Sequence, residues 1–129
     1  MNRLNIIQKK IIRIITNSDW FAHSAPLFDK LNIMNIYKLF EYCTGIFIFK
    51  AFNGDMPDSI RAWFNRNLTK RNSVNLRTIY RKKKFTQMCV KAAGPKIWNN
   101  FSVKCKTSQS IYSFKKHLKR HLTSIMSEC

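Results

Sequence analysis

The chain reads as mainly α with a small β hairpin, an α+β fold, and three observations lead there. Glycine and proline are scarce, three of each in 129 residues, which favours long regular elements. Apolar side chains recur at steps of three and four along most of the chain. One stretch, around residues 73–93, loses that period and alternates instead. Helices are expected around 3–16, 25–32, 35–53, 58–65 and 109–123, with the extended or hairpin region around 73–93 between the last two.

In RLNIIQKKIIRIIT, Leu4, Ile7, Ile11, Ile14 and Ile15 fall on one face, with Gln8, Lys9, Lys10 and Arg13 largely opposite. Asn17, Ser18 and Asp19 form a polar break. Ser24 and Pro26 suit a second start, because proline is tolerated in a first turn; that helix would bury Leu27, Phe28 and Leu31. Asn35 is the expected N-cap of a third helix, NIYKLFEYCTGIFIFKAF. Its apolar positions Ile36, Leu39, Phe40, Cys43, Phe47 and Ile48 crowd toward the second half, so it should be the central buried helix. Gly45 costs such a helix about 1 kcal/mol and signals close contact with a neighbour. Gly54 suits the residue after the helix, Pro57 blocks continuation, and Asp58 is expected to cap a short turn carrying Ile60, Trp63 and Phe64.

Composition changes near residue 66, and the expected domains are a helical region, 1–66, and a basic region, 67–129, built as one compact unit. The alternation in VNLRTIY reads as one hairpin arm and FTQMCV as its partner, with Arg81 to Lys84 in the connecting turn. GPKIWNNF then reads as a turn: Gly94 and Pro95 break the chain, Trp98 and Phe101 enter the core, and the Asn99 and Asn100 side chains satisfy turn backbone groups. Thr107 or Ser108 would cap a last helix that buries Ile111, Phe114, Leu118 and Leu122 and exposes Lys115, Lys116, Lys119 and Arg120.

Charge is the strongest global signal. The formal net charge is +18, with a balance of +2 in residues 1–60 and +16 in residues 61–129. Glu128 is the one acid of the second part. Such asymmetry points to a polyanion, most often nucleic acid.

Other classes lose support. No stretch approaches the roughly 18 uninterrupted apolar residues of a membrane span. The first helix breaks its isoleucines with lysines and arginines, unlike the apolar centre of a secretory leader. Cys43, Cys89, Cys105 and Cys129 form no C-x-x-C pair, and only His117 and His121 share a helical step, so no metal site and no cofactor are expected. Reduced thiols and an intracellular location, cytoplasmic or nuclear, are the expectation. The six acids, Asp19, Asp29, Glu41, Asp55, Asp58 and Glu128, make no D-x-D, Y-x-D-D or E-x-x-H pattern. No phosphate-binding glycine loop is present, so no self-sufficient active site and no catalytic residue is expected.

Five landmarks in order carry a resemblance. They are Gln8 with Arg13, Ile14, Ile15 and Thr16; Pro26, Leu27, Phe28, Leu31 and Ile33; Phe52, Asn53, Gly54 and Pro57; Gly94, Pro95, Ile97, Trp98 and Asn99; and Ser113, Phe114, Lys115, Lys116, Leu118 and Lys119. Over residues 3–122 the chain resembles the C-terminal region, beyond the polymerase palm, of reverse transcriptases from non-LTR retrotransposons of the jockey and related groups. That family continues its turn as W-N-x-L-P, whereas here Trp98 and Asn99 precede Asn100, Phe101 and Ser102. The resemblance implies a thumb-side, non-catalytic piece of an RNA-directed DNA polymerase whose palm lies upstream of Met1. It also implies that Gly94, Pro95, Trp98 and Asn99 form a structural turn.

In this reading RNA and DNA are the partners, held at their phosphates by Arg77, Arg81, Lys82, Lys83, Lys84, Lys115, Lys116, Lys119 and Arg120. Tyr80 and Phe85 flank the lysine run, where stacking on a base competes with the favoured reading of core packing. The alternative is a stand-alone basic structural or interaction module, a transposon relic with no specific ligand. A membrane-surface role for the first and last helices ranks lowest, because core packing accounts for both apolar stripes.

Overall fold

The fold, a computed structural model, is described for residues 2–66 and 74–124, apart from the side chains of Lys84, Phe85 and Ser124. It is mainly α. The helices run α1 (Asn2–Ile15), α2 (Ser24–Lys30), α3 (Ile36–Asn53), α4 (Asp58–Arg61), α5 (Lys84–Gln87), α6 (Val90–Asn100), α7 (Val103–Lys106) and α8 (Ile111–Ser124). The contacts divide the chain into two compact units, Met1–Glu41 and Tyr42–Cys129, so the change of composition near residue 66 falls inside the second unit.

Three helices stop in the same way. Asn17 (φ 49°), Asn32 (φ 52°) and Gly54 (φ 87°) adopt the left-handed conformation just past α1, α2 and α3. The next residue then donates back to the helix: Ser18 N–H to Arg13 O, Ile33 N–H to Phe28 O and Asp55 N–H to Lys50 O, each at 3.0 to 3.1 Å. This six-residue closure satisfies carbonyls that a helix end otherwise orphans, and asparagine and glycine are the residues that tolerate its geometry.

In the first unit α1 packs on α2. Gln8 fixes the face that α1 presents, since its Nε2 donates to Met34 O at 3.0 Å and its Oε1 accepts from Ile36 N–H at 2.9 Å. Arg13 Nε adds a bond to Ala22 O at 2.9 Å. Asn35 caps α3 as expected, accepting from Lys38 N–H at 3.0 Å. Ile12 and Phe28 are buried, but the expected stripe is not: Leu4, Ile7, Ile11, Ile14 and Ile15 are about half exposed or more. The polar bonds of Gln8 and Arg13 turn the Ile12 side of α1 inward and leave the isoleucine stripe outside. Leu39 is exposed too, against expectation.

The second unit has a single apolar core, built by Ile48, Phe49 and Ala51 of α3, Phe64, Leu76, Trp98, Phe101, Cys105, and Phe114, Leu118 and Leu122 of α8. The second half of α3 is thus the central helix the sequence predicts, although Cys43 lies outside it and is exposed. Phe49 and Phe114 stack at 4.4 Å between centroids, and Trp98 lies nearly parallel to Phe114 at 5.9 Å. Close approach of α3 to its neighbours depends on Gly45, where an added Cβ would sit 2.7 Å from Phe101 and 2.9 Å from Leu118.

Several local expectations are corrected. Pro57, not Asp58, occupies the N-cap of α4; Asp58 is the first helical residue and pairs with Arg61 at 2.9 Å. Ser110, rather than Thr107 or Ser108, caps α8, accepting from Ser113 N–H at 3.2 Å. Thr107 and Ser108 instead bond back to the Val103 and Lys104 carbonyls of α7. The hairpin is absent among the described residues, where strand pairing is limited to one antiparallel bridge between Arg66 and Leu76. FTQMCV runs through α5 into the start of α6: its six residues are too few to separate a strand from one helical turn by alternation.

The largest correction concerns Gly94, Pro95, Trp98 and Asn99, which lie inside α6 and form no turn. Proline in a helix interior removes one hydrogen bond and costs about 3 kcal/mol. An indole, however, buries about 150–250 Å², worth about 4–6 kcal/mol at about 25 cal/mol per Å². Trp98 is 2% exposed, and only a helical path puts Ala92, Gly94, Pro95 and Trp98 together on a buried face. Gly94 has no positive φ to supply; it makes room, since a Cβ there would lie 3.1 Å from Ile48 and 3.2 Å from Phe64.

Replacing Gly45 by alanine tests which effect governs α3. Helix propensity alone favours alanine by about 1 kcal/mol, whereas overpacking costs about 1–3 kcal/mol. With Phe101 and Leu118 both inside 3 Å, we expect a net loss of stability, read as a lower urea midpoint at unchanged m-value.

Candidate nucleic-acid interface

The candidate cations fall into two groups, one on the segment that follows Leu76 and one on α8. The first group stands on a clasp made by α6. The Asn99 amide pairs with both backbone groups of Leu76, accepting its N–H at 2.8 Å through Oδ1 and donating to its carbonyl at 3.0 Å through Nδ2. Next to it, Trp98 Nε1 donates to Val74 O at 3.0 Å. Lys106 Nζ completes the clasp with bonds to Asn75 Oδ1 and Asn99 O, both 2.9 Å. Burial lowers the Lys106 ammonium from the ordinary lysine value, and the neighbouring Cys105 opposes that shift. On the other side, Arg77 N–H donates to Asn65 O at 2.9 Å.

Val74 to Arg77 is therefore held on both edges, and Leu76 is driven into the core at 1% exposure. From this anchor the chain runs outward through Arg77, Tyr80, Arg81, Lys82 and Lys83, all exposed. Its far end is fastened by α5. Gln87 Nε2 donates to Arg81 O at 2.6 Å, and Thr86 Oγ1 donates to Lys83 O at 2.8 Å. The expectation for the Lys84 and Phe85 side chains lies outside the described residues.

On α8 the amphipathic reading holds. Phe114, Leu118 and Leu122 are buried, and Lys115, Lys116, Lys119 and Arg120 are exposed. Among the described residues no carboxylate pairs with Arg77, Arg81, Lys82, Lys83 or any of these four; the ion pair found is Arg61 with Asp58. These eight side chains carry positive charge into solvent with no acidic partner among the described residues, which is the electrostatic condition for a phosphate-binding surface.

Tyr80 is 79% exposed, so the expected core packing is overturned for this ring. The clasp itself was not anticipated. Asn99 follows a buried tryptophan on a helix, and a polar side chain beside a core anchor was the available signal for a partner elsewhere in the chain. Lys106 gave a similar signal, next to the buried Cys105. No group of three or more histidine, cysteine or acidic side chains able to hold a metal occurs among the described residues. No described helix is long and apolar enough to cross a membrane.

Comparison of the chain with protein-family models, with curated proteins and with solved structures finds no match.

Asn99→Ala leaves the Leu76 N–H and carbonyl without partners, at about 1–3 kcal/mol for each unsatisfied buried group. The expected outcome is a lower urea midpoint together with faster hydrogen exchange at the Leu76 amide. Asn99→Asp keeps the acceptor but sets a carboxylate oxygen against the Leu76 carbonyl, and should be destabilised as well.

Proposed function

We propose that this chain is a non-catalytic module that binds RNA and DNA through their phosphates with little regard to sequence. The observation that supports it best is the set of eight exposed cations that have no acidic partner among the described residues, four of them on α8 and the rest on the loop that the Asn99 clasp anchors. Lysine and arginine at this density favour polyanions through counterion release, and nothing in the arrangement selects one base over another. The ordered landmarks from Gln8 to Lys119 support a place in the region beyond the palm of a non-LTR retrotransposon reverse transcriptase. There the module would hold template and primer while the upstream palm forms bonds.

A second reading, an interaction module, draws on α1. Its exposed Leu4, Ile7, Ile11, Ile14 and Ile15 make an apolar face of the kind that marks association surfaces.

Salt separates the two. If around six phosphates are engaged, affinity for a labelled RNA or DNA duplex should fall on the order of a thousandfold between about 50 and 200 mM salt. Each of Lys115→Gln, Lys116→Gln, Lys119→Gln and Arg120→Gln should reduce the log–log salt slope by about one. Fluorescence anisotropy titrations measure both. A flat salt response would leave the interaction module as the surviving reading.

A further inference from the structure

The wall-to-wall geometry around Arg77 contains a cavity that phosphate binding alone does not use. It measures about 330 Å³ and is lined by Trp63, Asn65, Arg77, Thr78, Ile79 and Tyr80. That is near the lower end of the about 300–1,000 Å³ typical of small-molecule sites, a size for one flat ring system and its substituents. Its two walls come from separate stretches of chain. They are tied where Arg77 N–H meets Asn65 O and where Arg66 bridges to Leu76, so the cavity is held open before any ligand arrives.

The chemistry of the lining is specific. Trp63 and Tyr80 offer aromatic surface, and Tyr80 exposes its ring to solvent in the midst of arginines and lysines. Asn65 supplies an amide that can both donate and accept, and Thr78 a hydroxyl. Arg77, an exposed cation, lines the same cavity as the two aromatic rings. An aromatic platform beside a cation is the combination by which proteins hold single strands, the ring stacking on a base and the cation meeting the backbone. A base in an intact duplex is stacked on both faces and paired along one edge, and cannot enter such a cavity.

We propose that this cavity receives one unstacked nucleobase of a single-stranded RNA or DNA segment, stacked on Tyr80 with Arg77 on the adjoining phosphate. The proposal rests on the nucleic-acid reading above and refines it: the module distinguishes single strands from duplexes at this point. Trp63, half-buried, also lines the cavity, and the Lys91 ammonium lies 5.7 Å from its ring centre.

The test compares oligothymidylate and oligouridylate with a duplex of equal length, using the full chain and its Tyr80→Ala and Tyr80→Phe variants at one salt concentration. Because Tyr80 is exposed, both variants should keep the parent circular dichroism and urea midpoint. The expected result is a loss of on the order of tenfold in single-strand affinity for Tyr80→Ala, no change for the duplex, and recovery in Tyr80→Phe. The Trp63 indole N–H, assigned in nuclear magnetic resonance spectra through Trp63→Phe, should shift on addition of the single strand and stay in place with duplex. If Tyr80→Ala leaves single-strand binding intact, or weakens single strands and duplex equally, the cavity is not a base site although the phosphate-binding reading stands. If the parent chain binds neither nucleic acid, both readings fall together.

Discussion

The side-chain amide of Asn99 pairs with the N–H and the carbonyl of Leu76 as the backbone of a neighbouring strand would. This substitution of a side chain for a strand lets a helical protein dock a length of extended chain without building a sheet. Leu76 is the residue that most needs it, because its side chain is in the core and its backbone groups would otherwise be buried without partners. Trp98 repeats the device at the Val74 carbonyl, and Lys106 ties the Asn75 side chain to the Asn99 carbonyl. The outward course of Arg77 to Lys83, and the cavity beside it, both start from that fixed point.

Asn99 can only act this way because α6 is a helix through an unfavourable sequence. A proline at its sixth position and a glycine before it both argue for a break. Packing wins because the buried side chains of this helix fall on one face and because glycine is the residue that fits between Ile48 and Phe64. The same logic governs Gly45 on α3. Two glycines, neither with a positive φ, let helices approach closely enough for the Phe49, Phe114 and Trp98 rings to lie nearly parallel. Helix propensity is given up at both sites, and aromatic burial exceeds the loss.

What the sequence disclosed follows the strength of its periods. On α8 the apolar and basic faces are where the periodicity predicts, and the crowding of apolar residues in the second half of α3 marks the segment that enters the core, although Leu39 and Cys43 of its expected stripe are exposed. Gly54 and Asn35 were legible because end chemistry is local. The stripe on α1 misled because periodicity shows that a helix has two faces but not which face is covered; Gln8 and Arg13 decide that, through backbone partners beyond the end of the helix. The stretch GPKIWNN misled for the opposite reason, its local signals being strong and tertiary contacts stronger. Of the candidate interface, the cations were readable from composition and the α8 wheel. The cavity was not, since its walls come from residues 63–65 and 77–80, and no local rule brings those together.

The loop between the two fastenings has a property of its own. Leu76 is secured to α6, and the Arg81 and Lys83 carbonyls are secured to α5, so the residues between are suspended from a frame that does not consult their side chains. Such a span tolerates rewriting, as exposed loop tips between packed anchors generally do. Natural drift can therefore change the charge and aromatic content of this loop without touching the core. In the hands of an engineer it is a cassette: a short recognition peptide inserted between Arg77 and Arg81 would be displayed with both ends already held.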